Sequence, residues 1–297
     1  MADLKLTHLL GDSYVVEGRI KLGIWGPKDD TVLLDSGMDE SSGRALRRMI
    51  EREGRHLSWV ACTHFHADHV GGCAYLKKST GCSVAMPAFE SPFLEETIYE
   101  PSFLWGASPF GALKNKFLMA PVCQVDRRLP QCGEWEETGL KLVSLAGHSP
   151  GMVGYVTPDE VAYVGDSLFD SDMVEAHGML YVVDVAEWLV TLDFLERLEA
   201  RWFVPCHAST VEDPSRLISV TRRHLLDISD RVLSLCRTPM TRDDLLGKLM
   251  EWLDKKMDPL RYVLNLGALS AHLSYLIDRG EVEPLEDRGR LLWKAVD

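Results

Sequence analysis

The densest chemistry in the chain lies in Thr63-His64-Phe65-His66-Ala67-Asp68-His69, directly after the apolar run Trp59-Val60-Ala61-Cys62. Four side chains able to coordinate a metal fall within six residues. In extended backbone, positions two apart share a face, so His64 and His66 can address one ion, and a turn after Ala67 swings Asp68 and His69 toward a neighbouring one. Three more ligand-type residues follow separate apolar runs. Leu142-Val143-Ser144-Leu145 leads into Gly147-His148-Ser149-Pro150-Gly151, Val161-Ala162-Tyr163-Val164 into Gly165-Asp166, and Phe203-Val204-Pro205-Cys206 into His207. Taken singly, His148 and His207 read as structural or surface histidines and Asp166 as a helix cap. Together they place one ligand at the carboxyl end of each strand, where a single rim gathers them. The pattern predicts a metal site built from His64, His66, Asp68, His69, His148, Asp166 and His207, while His8, His56, His224 and His272 fall outside it.

The elements that must position these residues show first as strand-like runs: Leu4–Leu10, Ser13–Glu17, Thr31–Leu34, Trp59–Cys62, Lys141–Leu145, Val153–Val156, Val161–Val164 and Phe203–Pro205. Helical spacing appears at Ser41–Arg52, with Ser41 or Ser42 as cap, and at Val185–Ala200 with its leucine stripe. Strands in groups with helices interspersed, without a regular βαβ period, predict two sheets covered by outer helices, an α/β sandwich of layers. From about Pro214 the helices Leu217–Leu235, Arg242–Leu253 (capped by Thr241) and Leu260–Asp278 dominate, followed by a hairpin, Val282–Leu285 and Arg290–Trp293. This divides the chain into a catalytic domain, 1–213, with an aromatic-rich insert at 87–121 as a candidate lid, and a small helical domain, 214–297, resembling a winged helix in outline.

Composition narrows the function. With 46% hydrophobic and 26% charged residues in 297, the chain is an ordinary globular protein. No run is long and apolar enough for a membrane span, the amino terminus does not read as a signal peptide, and the seven cysteines form no CxxC pair; the expectation is a cytoplasmic protein with reduced thiols. The net charge of −13 is concentrated before residue 215, so a polyanion meets a repulsive field and nucleic acid is an unfavoured partner.

In these motifs the sequence resembles the metallo-β-lactamase superfamily: the HxHxDH string at His64, His66, Asp68 and His69, the GHSPG loop with His148, Asp166 as the bridging aspartate and His207 as the final histidine. The resemblance covers roughly residues 4–210 and implies an αββα four-layer sandwich with metals at one edge. It implies one ion on His64, His66 and His148, a second on Asp68, His69 and His207, and Asp166 between them, with Asp35 supporting the metal loops. Imidazoles and carboxylates without a thiolate suit two zinc ions, and iron or manganese accept the same donors. Hydroxide formed on the two ions would attack a carbonyl or phosphoryl centre, with Asp68 orienting it and no protein nucleophile needed; Cys62 and Cys206 are not expected to act.

Within the superfamily the chain is similar to glyoxalase-II-like hydrolases, which implies hydrolysis of a small thioester, ester or lactone. It lacks their Gly-Cys-Gly segment after the bridging aspartate, running instead Gly165-Asp166-Ser167-Leu168-Phe169-Asp170, which puts glutathione recognition in question and disfavours an iron-dependent persulfide dioxygenase. A nuclease of the same superfamily is the principal alternative, and a non-catalytic binding or redox partner a third. His177 and Tyr181 are candidates to reach the site, and the carboxyl-terminal domain is expected to serve dimerisation, as a homodimer, or pocket closure.

Overall fold

The structure, a computed structural model, describes residues 4–296. Seven strands form the first sheet in chain order: β1 (Lys5–Leu10), β2 (Ser13–Glu17), β3 (Leu22–Trp25), β4 (Thr31–Leu34), β5 (Leu57–Ala61), β6 (Ser83–Pro87) and β7 (Arg127–Leu129). The first four run antiparallel, and β4 through β7 are parallel. The second sheet comprises β8 (Gly133–Trp135), β9 (Leu140–Ser144), β10 (Val153–Val156), β11 (Val161–Phe169) and β12 (Trp202–His207), in the order β12-β11-β10-β9-β8, with only β11 and β12 parallel.

Alternation along the strands builds the layers. Val15, Val32, Leu34 and Ala61 face the second sheet, where they meet Leu142, Val153, Tyr155 and Tyr163; their neighbours Val16, Leu33 and Val60 turn to the other face. That face is covered by α1 (Glu40–Arg52), followed by the single turn α2 (Ala67–Val70) and by α3 (Cys73–Thr80), through Leu46, Met49, Ile50 and Leu76. The predicted insert contains α4 (Ser91–Glu95), α5 (Tyr99–Trp105) and a 3-10 turn at Gly111–Leu113. On the outer face of the second sheet lie α6 (Ser171–His177), α7 (Val185–Leu195) and the long α8 (Ser215–Leu235), then α9 (Arg242–Leu253), α10 (Pro259–Asp278) and the hairpin β13 (Val282–Asp287) and β14 (Arg290–Ala295). This is the expected αββα arrangement with carboxyl-terminal helices.

The carboxyl-terminal helices share the core of the second sheet. Leu168, Trp188 and Leu192 join Leu225, Ile228, Leu249 and Leu269 in one buried cluster. Thr221 Oγ1 on α8 accepts the Phe169 N–H at 3.0 Å, and His224 Nε2 accepts that of Leu180 at 3.3 Å. His272, buried, pairs with Ser229 at 2.8 Å. Of the four histidines that the sequence set aside, His224 and His272 serve the core.

Several boundaries differ from expectation, three of them for a visible physical reason. α1 is capped by Asp39, whose carboxylate accepts the N–H groups of Ser41 and Ser42, rather than by either serine. The helix from Val185 stops at Leu195, because the chain must return to the sheet, where the Arg201 N–H bonds Glu160 O. The strand from Val161 does not end at Val164 but runs to Phe169; Gly165, at φ 53°, kinks it without breaking it. Asp166 therefore sits within a strand, not in a loop beyond one.

Candidate metal centre

All seven predicted ligands meet at the carboxyl ends of β5, β9 and β12 and at the kink in β11. His64 Nε2 and His148 Nε2 lie 2.9 and 3.0 Å from His66 Nδ1. In a tetrahedral site with metal–nitrogen distances of about 2.0–2.1 Å, neighbouring donors stand roughly 3.3 Å apart, so this spacing fits three ligands of one small ion. A second group joins Asp68, His69 and His207, with His207 Nε2 3.3 Å from Asp68 Oδ2. Asp166 lies between the groups: its Oδ2 is 3.4 Å from His148 Nε2 and 3.3 Å from His207 Nε2, while Oδ1 is 3.3 Å from His69 Nε2.

The His66 contacts are within hydrogen-bond distance, whereas the 3.3–3.4 Å contacts of Asp166 are ion-pair contacts. Asp166 Oδ1 and His69 Nε2 are buried and have no hydrogen-bond partner. Two orphaned polar atoms facing one another in a buried site are costly in a folded protein unless a cation shares them. The residues thus fit divalent metal.

The outward nitrogens are tied down, which fixes which nitrogen of each ring faces the cluster. His148 Nδ1 donates to Tyr181 O at 3.0 Å, and His69 Nδ1 to Asp35 Oδ2 at 2.9 Å. His64 Nδ1 donates to Thr63 Oγ1, which in turn donates to Asp35 Oδ2, both at 2.9 Å. Asp35 also accepts the Thr63 N–H and adopts a left-handed φ of 62°, a conformation that its four partners, Cys206 Sγ at 3.8 Å included, hold in place. It occupies the supporting position expected of it. Cys206 is buried and its thiol is pushed up to about 12 by that burial, so it remains protonated.

The electrostatics divide the histidines. Burial lowers His64 and His148, and drives His66 down to about 3, so these three present neutral lone pairs. Burial opposes protonation of His207 too, but Asp166 and Asp68 outweigh it and hold that ring up to about 10; His69 is raised for the same reason. Protons on these two rings supply positive charge that a bound cation would otherwise bring, and metal binding would release them.

A carboxylate that the sequence reading missed locks the two principal loops together. Glu90, fully buried before α4, accepts the Phe65 N–H at Oε2, and the Ser149 hydroxyl and Gly151 N–H at Oε1. Burial pushes its carboxyl up to about 7 against the pull of those hydrogen bonds. Glu90→Gln replaces one of two acceptor oxygens by a donor that must face an N–H or hydroxyl. Losing one or two such bonds costs about 1–3 kcal/mol, and metal affinity is expected to fall about 10–100-fold with the fold intact, measured by competition with a chromogenic chelator. Unchanged affinity would sink this role.

Above the ligands lies a cavity of about 200 Å³ whose walls come from the insert (Glu100, Phe117, Leu118), from Phe169, Met173, His177 and Tyr181, and from Leu260 and Leu264 of α10. His177 and Tyr181 both reach it. Of the seven insert aromatics, Phe93 stacks on Phe65 with centroids 4.2 Å apart, Phe117 lines the cavity, and Phe89, Tyr99, Phe103, Trp105 and Phe110 are exposed. The cavity shares Asp68, Phe117, Met173, His177 and His207 with a groove of about 680 Å³ running past Arg19 and Met38.

This fold and site define a metal-binding αββα protein. Residues 7–207 match the metallo-beta-lactamase superfamily model, and the chain belongs to that superfamily. It is 27% identical over 172 residues to a hydroxyacylglutathione hydrolase of Nitrobacter hamburgensis, covering 57% of this chain and 52% of that one. With the enzyme of the same name from Brucella ovis it shares 27% over 145 residues, 48% of this chain and 45% of the other, so the matches span about half the length of these relatives. In structure it is similar to a metallo-beta-lactamase family protein of Thermus thermophilus, with a TM-score of 0.72, 19% identity and 99% of both chains covered. A beta-lactamase domain protein of Burkholderia ambifaria gives 0.70 at 18% identity, covering 99% of this chain and 91% of that one. Both likenesses extend over the carboxyl-terminal helices and concern the fold.

Proposed function

We propose that the protein is a dinuclear metallo-hydrolase of small carboxylic thioesters, esters or lactones. His64, His66 and His148 would hold one ion, Asp68, His69 and His207 the other, and Asp166 both. The observation that carries this is the convergence of seven donors with two of them orphaned in a buried site. A pair of divalent ions held there, zinc being favoured by the donor set, would lower the pKa of water and polarise a scissile carbonyl.

The chain's own groups do the rest. Asp68, more exposed than Asp166, faces the cavity and would orient the attacking water by accepting its hydrogen bond. The two cavities meeting at Asp68 and His207 suit a substrate with two limbs joined at the reacting bond. The smaller cavity's wall contains no lysine or arginine among the described residues, which disfavours phosphodiester chains and the nuclease alternative. The hydroxyacylglutathione hydrolase names of the curated relatives support a thioester or ester.

The test is metal analysis of the purified protein together with turnover of thioesters, lactones, aryl esters, a phosphodiester and RNA. Two equivalents of metal and chelator-sensitive turnover of at least one carboxylic substrate are expected. Cleavage confined to the phosphodiester or RNA would overturn the reading.

A further inference from the structure

Among the described residues, Glu100 is the one acidic residue of the cavity wall that the proposed chemistry leaves without a task. It lies in the first turn of α5, is 7% exposed, and lines the same cavity as His66, Asp68 and His148. Among the described residues its carboxyl makes no hydrogen bond and no ion pair, although backbone N–H groups at the start of α5 are near at hand in sequence. Glu90, by contrast, buried in the same region, has three partners. Burial, then the charges of Asp68 and Glu90, raise the Glu100 carboxyl well above the ordinary range. A carboxyl that opens onto a largely apolar cavity without a protein partner is poorly solvated there, and such groups persist where a ligand supplies the missing bond.

The surroundings say what kind of ligand. Leu118, Leu260, Leu264 and Tyr181 make much of the remaining wall apolar, and no lysine or arginine of the described residues lines the cavity. Beyond the metal ligands, an anionic substituent would meet the Glu100 carboxyl and no fixed cation. In either protonation state that carboxyl keeps an oxygen that accepts a hydrogen bond.

We propose that Glu100 is a specificity-determining, substrate-contacting residue: it accepts a hydrogen bond from a hydroxyl or amide N–H on an otherwise apolar, uncharged limb of the substrate. The inference rests on the hydrolase reading above and deepens it by naming the chemistry of that limb. The other limb lies in the larger groove, whose one lysine or arginine among the described residues is Arg19.

The experiment uses the metal-loaded full chain as wild type, Glu100→Leu and Glu100→Gln, with metal content checked for each. Matched esters share a leaving group and carry on the acyl limb a hydroxyl, an amide, a methylene in their place, or a carboxylate; a second series puts the same groups on the leaving limb. In one series wild type is expected to favour the donor-bearing ester over its methylene analogue at least tenfold in kcat/KM, chiefly through KM. Glu100→Leu should bring that ratio within twofold while turnover of the methylene ester holds, and should raise Tm because an unpartnered buried carboxyl is gone. Glu100→Gln keeps an acceptor oxygen and should keep the preference, while admitting the carboxylate ester better. A merely structural role would lower turnover of all esters together, and that result overturns the proposal, as does a wild type indifferent to the donor. If no ester is hydrolysed, the hydrolase reading fails separately. Calorimetric binding of the corresponding alcohols and acids then decides: a donor preference lost in Glu100→Leu supports the contact, and no preference overturns it.

Discussion

Asp166→Ala is expected to leave a folded protein that retains fewer than one metal ion per chain after dialysis and loses at least about 1000-fold in kcat/KM, equivalent to about 4 kcal/mol of transition-state stabilisation. Asp166 lies between the two groups, within 3.4 Å of His148 in one and 3.3 Å of His69 and His207 in the other. On the proposed assignment its removal would deprive each ion of a ligand, and it also takes away the charge that holds His69 and His207 in their protonated state. Elemental analysis beside activity is the check. A variant that keeps two ions and a tenth of the activity would remove Asp166 from its bridging role.

Ending the chain after residue 213 is expected to abolish the native fold rather than release a working catalytic domain. The fragment uncovers the face of the second sheet where Leu168, Phe169 and Leu192 share a cluster with α8 to α10. Exposing three such side chains forfeits about 5–9 kcal/mol, of the order of a domain's whole stability of about 5–15 kcal/mol. Two buried N–H groups, of Phe169 and Leu180, also lose the partners that Thr221 and His224 provide. Size-exclusion chromatography and near-ultraviolet circular dichroism should show an aggregated or loosely packed species. A monodisperse 1–213 fragment with full activity would show that the carboxyl-terminal helices are dispensable.

Much of the site was legible in the sequence because its ligands sit at the ends of alternating or apolar strands, and because four donors in six residues are hard to explain by surface chemistry. Asp166 was placed correctly beside the other donors but wrongly as a loop residue, since a glycine before an aspartate looks the same at a turn as at a kink. Glu90 and Glu100 were not legible. Each is an acid in a segment rich in proline and aromatics, where exposure is the ordinary expectation, and their burial depends on packing among segments far apart in sequence. The short helices α2 to α6 span four to eight residues, too few for a helical period to show. The insert read as a loop for the same reason.

Leu113 and Leu118 of the insert are buried against Val263 of α10, and that same helix contributes Leu260 and Leu264 to the cavity wall. Residues that wall the proposed substrate cavity therefore also hold the insert and the carboxyl-terminal helices together. Lineages of this protein cannot broaden what they accept by freely trimming that wall, because each trimmed side chain loosens the seam between the two. Change of specificity should instead arrive as compensated pairs, one substitution on each side of the seam, with the metal ligands untouched.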